Sequence, residues 1–246
     1  MSTFISRLHE ELRAARATRR GATMRPDAVP VGLHKEYPRM PRITLPQPKK
    51  ITAGLDDVVR KRRSFSKAIS SEGFTIKDIG TLLGLAIGTA EHEPLRNYPS
   101  GGALFPIETY LIGNVLRGRS PAVYHYHPKS HALEHLWDLP SFSTRDITTT
   151  HSAPVGSALL IFAAVWERSS AKYGEFTYVH GLLEAGHMAQ NIHLVATALG
   201  TKSRPIGGFD DAKVARLLDI GEHEQAVYAI ILSGGNEKSF VEFVHE

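Results

Sequence analysis

The longest hydrophobic pattern in the chain predicts a helix over residues 177–199. Apolar residues occupy most of the helical circumference of this segment, TYVHGLLEAGHMAQNIHLVATAL, and Gly200 follows it as a stop signal. A helix that is apolar on nearly all sides belongs in the middle of an assembly, and its small residues allow other backbones to approach closely. We therefore expect this helix to be buried against a second copy of the chain.

Five shorter apolar runs have the length and the β-branched and aromatic content of strands. They cover residues 107–115, 122–127, 132–137, 158–166 and 227–232. A short turn joins the second run to the third and predicts a hairpin, and the fourth run, ALLIFAAVW, is continuous enough for a strand that is buried on both faces. Shorter helices are predicted over residues 56–63, from Thr75 to Gly88 and from Asp210 to Leu218.

The order of these elements has no regular strand–helix–strand alternation. This favours an α+β fold with a mainly antiparallel sheet flanked by helices over a doubly wound nucleotide-binding fold. Neither the GxGxxG pattern of a dinucleotide site nor the GxxxxGK[ST] pattern of a P-loop occurs in the chain. We expect the long helix to lie at the centre of the fold, at a dimer interface.

The first fifty residues differ in character from the rest of the chain. Residues 1–21 have an amphipathic helical pattern with arginines between the apolar positions. Residues 23–50 contain six prolines, which exclude a long helix or a central strand there. We divide the chain into a basic N-terminal helix with a proline-rich extended arm, residues 1–50, and a folded domain, residues 51–246.

The composition is that of a globular protein. Of the 246 residues, 42% are hydrophobic and 22% are charged. The chain has no cysteine, which excludes disulfide frameworks, thiolate metal sites and cysteine nucleophiles. No apolar run is long enough to cross a bilayer, and the N-terminal pattern is unlike a signal peptide. We expect a cytoplasmic protein with no membrane partner.

The formal net charge of +4 is unevenly distributed along the chain. Residues 1–63 contain 15 Lys and Arg against 6 Asp and Glu, a net charge of +9, whereas the remaining residues have a net charge of −5. The basic excess is therefore confined to the N-terminal quarter, which is typical of an arm that meets something anionic. Because the folded domain is acidic, no nucleic-acid partner is expected.

Thirteen histidines raise the question of a metal site. Four of them lie in or beside the predicted hairpin: His125, His127, His131 and His135. No carboxylate stands at a characteristic ligand spacing from them, and two histidines on the long helix, seven residues apart, are about 10 Å apart along its axis. We expect satisfied or solvated histidines and no metal.

Three segments contain residues suited to binding a phosphate-bearing ligand. The run RKRRSFSK at 60–67 places cationic donors ahead of hydroxyl groups, as a phosphate monoester requires, although a solvated helix end explains it equally well. The segments 98–106 and 204–210 are glycine-rich turns on either side of the long helix, and they would allow a flat ligand to approach closely. Tight structural turns are the alternative explanation for both.

Five motifs, in this order, resemble the SagB-type branch of the FMN-dependent nitroreductase superfamily, which includes the azoline dehydrogenases of thiazole- and oxazole-modified peptides. They are RRS at 62–64, YPSGGALFPIE at 98–108, YHYHP at 124–128, LEAGHMAQN at 183–191 and PIGGFDD at 205–211. The resemblance covers about residues 35–235 and includes HKEYP at 34–38. It implies an α+β fold that dimerises around its central helices and binds FMN at the subunit interface.

The resemblance also implies which residues bind FMN. The phosphate group would be held by Arg62, Arg63 and Ser64. The isoalloxazine ring and the ribityl chain would be lined by Pro99, Ser100, Gly101, Gly102, Ile206, Gly207 and Gly208. The family often has a basic residue where this chain has Ser66, and Lys67 is the nearest substitute.

Azoline dehydrogenases also have an adjacent Lys-Tyr pair ahead of the central helix, and Lys172-Tyr173 stands at that position. Oxidising an azoline removes a proton to a base and a hydride to flavin N5, so the resemblance implies that this pair manages the proton and that oxygen reoxidises the flavin. The alternative is that Lys172 pairs with Glu175 on the surface while Tyr173 packs. With the flanking motifs present, we favour catalysis.

The sequence thus favours an FMN-dependent oxidase that converts thiazoline or oxazoline rings of a ribosomal peptide to thiazole or oxazole. We expect a homodimer that acts on a modified peptide, alone or with a cyclodehydratase complex. A second hypothesis keeps the flavin and changes the substrate, as an NAD(P)H-dependent reductase of nitroaromatics, quinones or dehydroamino acids. A third, of a different class, is a basic-armed module that binds nucleic acid or peptide without catalysis.

Overall fold

The computed structural model describes residues 3–17, 32–66, 72–90, 95–150 and 153–234. The predicted end of the first helix near Gly21, the start of the proline-rich stretch and Lys67 lie outside these residues. The described part of the chain has six α-helices. They are α1 (Phe4–Ala17), α2 (Leu55–Lys61), α3 (Ile76–Ile87), α4 (Glu167–Tyr173), α5 (Thr177–Leu199) and α6 (Asp211–Leu218). None of these helices combines the length and the apolar content that a bilayer crossing needs.

Seven strands form one antiparallel sheet. They are β1 (Arg42–Thr44), β2 (Ile107–Gly113), β3 (Ala122–His127), β4 (Ala132–Asp138), β5 (Ala158–Val165), β6 (Lys202–Ile206) and β7 (Glu224–Ser233). Their order across the sheet is β1-β4-β3-β2-β5-β7-β6. The apolar run that forms β5 pairs with β2 on one side and β7 on the other, which explains why almost every residue in it is buried.

Three of the helix ends lie where the sequence signals predict. The Thr75 hydroxyl oxygen accepts a hydrogen bond from the Asp78 amide at 3.1 Å and caps α3. The Asp210 carboxylate caps α6 in the same way, and Gly200 ends α5 with a φ of 72°. The expected α+β fold, with a mainly antiparallel sheet and a long central helix, is confirmed.

The two faces of the sheet are covered differently. On one face, α3 and α5 pack on the sheet through an apolar cluster that includes Leu82, Met188 and Ile192. On the other face, α6 and a segment that we call the strap, residues 34–42, lie over a second cluster around Tyr110. The strap is hydrogen-bonded to the sheet through the main-chain amides of Lys35 and Tyr37.

Three elements were not predicted from the sequence. Strand β1 is only three residues long, and β6 contains Pro205, yet both lie at edges of the sheet, where proline is tolerated. The interpretation of 204–210 as one glycine-rich turn was therefore wrong, because the turn begins only at Gly207. Helix α4, with the sequence ERSSAKY, has no repeating apolar positions from which it could be predicted.

Only one side of α5 is buried within the chain. An exposed stripe on the other side includes Tyr178, Leu182 and Leu183, whose exposed fractions are 49%, 40% and 55%. Gly186 lies on the same stripe, and a Cβ atom there would meet nothing within 4 Å. This apolar stripe with a small residue is suited to close packing by another helix.

Candidate active site

Lys172 and Tyr173 form the end of α4, and their polar atoms converge on the glycine turn. A Cβ atom at Gly102 would lie 2.7 Å from both Lys172 Nζ and Tyr173 Oη. Gly102 has a φ of 67°, a conformation that favours glycine. The lysine–tyrosine pair and the turn, far apart in the sequence, therefore form one site in which the Lys172 Nζ and the Tyr173 hydroxyl face the turn.

The glycine turn is closed by its own serine. The Ser100 hydroxyl accepts a hydrogen bond from the Phe105 amide at 2.9 Å, and the Ser100 carbonyl accepts one from the Ala103 amide at 3.1 Å. Ala103 and Phe105 both have positive φ, which is unusual for residues with side chains. Strain of this kind persists only where the surroundings hold it, and it occurs often at ligand sites.

His180, in the first turn of α5, is part of the site and was missed as a functional residue. Its ring lies edge-on to the ring of Tyr173, with the centroids 4.5 Å apart, and edge-on to the ring of Phe176 at 4.8 Å. Its Nδ1 would be 3.2 Å from a Cβ atom at Gly101. The sequence gives no signal for this contact, because α4 was not predicted and the packing of its last residue on the first turn of α5 has no local pattern.

Glu184 is a buried carboxyl group near the turn, 2% exposed, and it was also missed. Burial raises the pKa of Glu184 to about 7, and the Ser100 hydroxyl offsets only part of this effect. A carboxyl group that titrates near neutral pH can hold or release a proton. In the sequence, Glu184 is one of several polar residues in a mainly apolar helix. This pattern does not indicate that Glu184 lies near Ser100.

Arg168 connects α4 to the turn and to the sheet. Its guanidinium group donates to the Phe105 carbonyl at 3.0 Å and also to the Glu108 carboxylate. Arg168 and Glu108 are both buried. Burial alone would raise the pKa of Glu108, but the hydrogen bond with His125 and the charge of Arg168 lower it to about 2. The ion pair therefore fixes the helix that ends in Lys172 and Tyr173.

The predicted phosphate-binding residues follow the C-terminal end of α2. Arg63 donates from Nη1 to the carbonyls of Arg60 and Arg62, both at 2.8 Å, so its side chain is turned back onto the end of its own helix. Arg62 is half-buried, while Ser64 and Ser66 are exposed. Arg62 and Ser64 are thus the members of this group best placed to meet a ligand.

This basic group lies beside the second half of α5 and beside β6. Arg204 in β6 donates to the Phe65 carbonyl at 3.0 Å. Burial, together with the positive charge of Arg62, lowers the pKa of His193 in α5 to about 4, which shows that Arg62 and His193 are near each other. The Nδ1 atom of His193 is 2.6 Å from the Ser203 hydroxyl.

The second predicted glycine segment, Ile206, Gly207 and Gly208, begins where β6 ends. The Thr149 amide donates to the Gly208 carbonyl at 3.1 Å, and a Cβ atom at Gly208 would lie 2.7 Å from Thr149 Oγ1. A Cβ atom at Gly207 would meet nothing within 4 Å. Gly208 is therefore required for a close contact within the chain, whereas Gly207 borders open space.

The predicted residues thus form two half-sites. The half-site that we call catalytic, after its predicted role, contains Lys172, Tyr173 and the turn 99–102, next to His180. The basic half-site contains residues 62–66 and 206–208, with Arg62 near His193. From position 180 to position 193, α5 rises about 20 Å along its axis. One chain therefore does not bring the two half-sites together.

The chain is similar in sequence to known proteins. Residues 59–235 match the model of the nitroreductase family. A nitroreductase-type protein of Methanocaldococcus jannaschii is 33% identical over 173 residues, which are 69% of this chain and 86% of that protein.

Two further similarities concern peptide processing. The microcin B17-processing protein McbC of Escherichia coli is 33% identical over 162 residues, which are 62% of this chain but only 59% of the length of McbC. In the solved structure of the E. coli microcin synthetase McbBCD complex with truncated pro-MccB17 bound, one chain shares this fold, with a TM-score of 0.63 and 24% identity, over 96% of this chain and 85% of that one. The resemblance that the motifs indicate is confirmed, and the chain belongs to the nitroreductase family.

Proposed function

We propose that this nitroreductase-family oxidoreductase is an FMN-dependent dehydrogenase that oxidises thiazoline or oxazoline rings of a ribosomal peptide to thiazole or oxazole. The observation that carries the proposal is the convergence of Lys172 Nζ and Tyr173 Oη on Gly102. Loss of the ring proton requires a base at the reacting carbon, and these two groups are held together where a ring could lie against the turn. The similarity to a microcin B17-processing protein supports a peptide substrate.

The residues of both half-sites fit FMN. Arg62 and Ser64 offer cationic and hydroxyl donors to a phosphate, and Gly102 and Gly207 leave the backbone exposed to a flat ring. When bound, FMN would supply the hydride acceptor. Lys172 and Tyr173 would take the proton from the substrate, and Glu184, which titrates near neutral pH, would pass it on.

A homodimer would bring the two half-sites together. Because they lie about 20 Å apart along α5, two copies with antiparallel α5 helices would place the catalytic half-site of one chain against the basic half-site of the other. The exposed stripe of α5 would form the centre of that interface. Leu55 and Val59 of α2, which are also exposed, would extend it.

Leu183→Glu is expected to convert this dimer to a monomer and to release the flavin, because a carboxylate would be buried in the interface without a partner. Leu95→Glu is the matched control, since Leu95 is similarly exposed, at 47%, but lies outside α2 and α5. Light scattering measures the mass and absorbance measures the bound flavin. A dimer with full flavin content in the Leu183 variant would contradict the interface.

We also propose that the enzyme works in the cytoplasm with a cyclodehydratase that forms the azoline rings. The chemistry requires such a step beforehand, because an azoline is a cyclised and dehydrated residue of the peptide. The fold similarity to a chain of a microcin synthetase complex supports a shared assembly.

The test is anaerobic mixing of the purified flavoprotein with an azoline-containing peptide. We expect bleaching of the flavin absorbance and a product peptide that has lost two hydrogen atoms per ring, detected by mass spectrometry. Rapid bleaching by NAD(P)H, with no change in the peptide, would instead identify a reductase of small molecules. A purified protein that binds no flavin would overturn both activities.

Gly102→Ala is expected to lower turnover of the peptide about a hundredfold, the cost of a displacement of about 1 Å at a reacting centre. The new methyl group would occupy the space of Lys172 Nζ and Tyr173 Oη. Gly118→Ala is the control, because Gly118 also has a positive φ, 77°, but its Cβ would meet nothing within 4 Å. Turnover in the Gly102 variant as high as in the Gly118 variant would show that the contact with Lys172 and Tyr173 does not limit catalysis.

A further inference from the structure

The structure accounts for three of the four histidines around the hairpin. His125 is buried between the carboxylates of Glu108 and Glu134, at 2.9 and 2.8 Å. His131 contacts the Tyr126 hydroxyl, and His135 contacts Asp138. These three are satisfied histidines, as the sequence analysis expects.

His127, at the end of β3, is different. It is 3% exposed, and its Nε2 has no hydrogen bond within the described part of the chain. That atom lies 3.4 Å from Glu36 Oε1 without the alignment of a hydrogen bond. A contact of this length leaves a buried imidazole nitrogen poorly satisfied, which is costly.

Two side chains of the strap surround this nitrogen. The Nε2 atom of His34 is 3.2 Å from the same Glu36 oxygen. His34, Glu36 and His127 each offer one ligand atom, and these three atoms lie within 4.8 Å of one another. We propose that His34, Glu36 and His127 bind a divalent transition-metal ion, and that Zn²⁺ is the ion this set of ligands favours.

The spacing agrees with this assignment. Zinc binds imidazole nitrogen and carboxylate oxygen at about 2.0–2.2 Å, so ligand atoms of a tetrahedral site are about 3.3–3.6 Å apart. The two separations to Glu36 Oε1, 3.2 and 3.4 Å, are close to this value. Three protein ligands would leave the fourth position to water.

The ligands are held in place by their neighbours. On either side of Glu36, the Lys35 amide donates to Glu108 at 2.7 Å and the Tyr37 amide donates to Glu134 at 3.2 Å. The other ring nitrogen of His127, Nδ1, lies 2.7 Å from the Ser130 hydroxyl and accepts a hydrogen bond from the Ser130 amide at 3.1 Å. An ion on Nε2 would shift the ring proton to Nδ1, which would then donate to the hydroxyl, the kind of second contact that orients a ligating histidine.

The charges around the site permit a cation. Arg42 lies 3.8 Å from Glu36 Oε2 and is paired at 2.7 Å with Glu134. Glu36 Oε1, the oxygen that faces the two histidines, is thus left for the ion.

An ion at this site would fasten the strap to β3 on the face of the sheet opposite α5. The strap is also anchored by Glu108, which binds Arg168 of the catalytic helix α4. The metal would therefore have a structural role, separate from the flavin chemistry, and its binding does not depend on the proposed reaction.

The test uses the full-length flavoprotein after removal of metals by a chelator. Equilibrium dialysis against Zn²⁺ with elemental analysis is expected to give one zinc per chain. His127→Ala and Glu36→Gln should each weaken zinc binding at least about tenfold. Loss of a group that only supports a ligand already costs about that much metal affinity. His135→Ala, which removes a histidine of the same hairpin, should leave zinc binding unchanged.

The Glu36→Gln variant is expected to fold normally, because the Glu36 side chain is about half exposed and the substitution opens no cavity. Weaker zinc binding in this variant therefore does not result from misfolding. Substitution with Co²⁺ gives a second measurement, since a tetrahedral site produces intense visible absorbance that an octahedral aqueous ion does not. No zinc bound at micromolar concentration, or equal zinc in the Glu36 and His135 variants, would overturn the proposal. Flavin absorbance should be the same in all the variants.

Discussion

Lys172→Ala is expected to lower turnover of an azoline peptide by about a hundredfold to ten-thousandfold, the range for loss of a general acid–base group. The lysine Nζ converges with the Tyr173 Oη on Gly102, so its removal takes away one of the two groups proposed to receive the ring proton, the lysine acting as the neutral amine. Bound flavin should be unchanged, because the phosphate-binding residues lie in the other half-site. Product mass and flavin absorbance measure the two properties.

Tyr173→Phe separates the roles of the two groups. It keeps the aromatic contact with His180 and removes only the hydroxyl, so a loss of turnover would assign proton transfer to the phenol. Lys129→Ala, a lysine exposed in the hairpin turn, is the control for loss of a positive charge. Full turnover in both the Lys172 and the Tyr173 variants would remove the pair from the mechanism.

The sequence predicts those parts of the fold that rest on periodicity and on local capping. The apolar run of β5, the all-round apolar pattern of α5 and the caps at Thr75 and Asp210 each identify an element within a few residues. Strand β6 was missed because Pro205 and the following glycines resemble a turn. Only pairing with β7, at the edge of the sheet, makes it a strand.

The candidate site was predicted only in part, because local motifs identify some of its residues but not the packing that brings the others to it. Motifs identify Lys172, Tyr173 and the glycine turn, and the structure brings these together. His180 and Glu184 could not be predicted, because their contribution depends on how α4, α5 and the turn pack, and no local pattern encodes that packing. The division into two half-sites is likewise a property of the length of α5.

The groups that hold α4 in place form a buried charge network. Glu108 accepts hydrogen bonds from Arg168 and from the Lys35 amide, and it contacts His125, which also contacts Glu134. The Arg168, Glu108, His125 and Glu134 side chains are all buried. Compared with apolar packing, such a network as a whole adds little to the free energy of unfolding. Loss of one member, however, leaves an uncompensated charge in the interior.

Arg168→Met is therefore expected to lower the free energy of unfolding by about 3–5 kcal/mol, the cost of breaking a buried ion pair. Turnover should fall as well, since Arg168 anchors the helix that ends in Lys172. Arg117→Met is the matched control, because Arg117 forms a partly exposed pair with Glu72 at 3.3 Å, and it should cost less than about 1 kcal/mol. Urea denaturation at pH 7 measures both variants.

The pH dependence of stability tests the same network. The pKa values of Glu108 and Glu134 are lowered to about 2 from an ordinary value of 4.5, so their stabilisation is complete above about pH 4.5 and is lost as the pH falls towards 2. His125 has the opposite sign, because its pKa is raised from 6.5. The stabilisation that His125 provides is complete below about pH 6.5 and is lost as the pH rises through the pKa of His125 in the folded protein.

Without Arg168, the pKa of Glu108 rises towards its ordinary value, so acid unfolding of the Arg168→Met variant should begin at a higher pH than in the wild type. Urea midpoints measured from pH 7 to about pH 3 give the two profiles. The Arg117→Met profile should follow the wild type, because its pair is partly solvated. If the Arg168 and Arg117 variants gave the same profile, the charge of Glu108 would be held by His125 alone, and α4 would not depend on this ion pair.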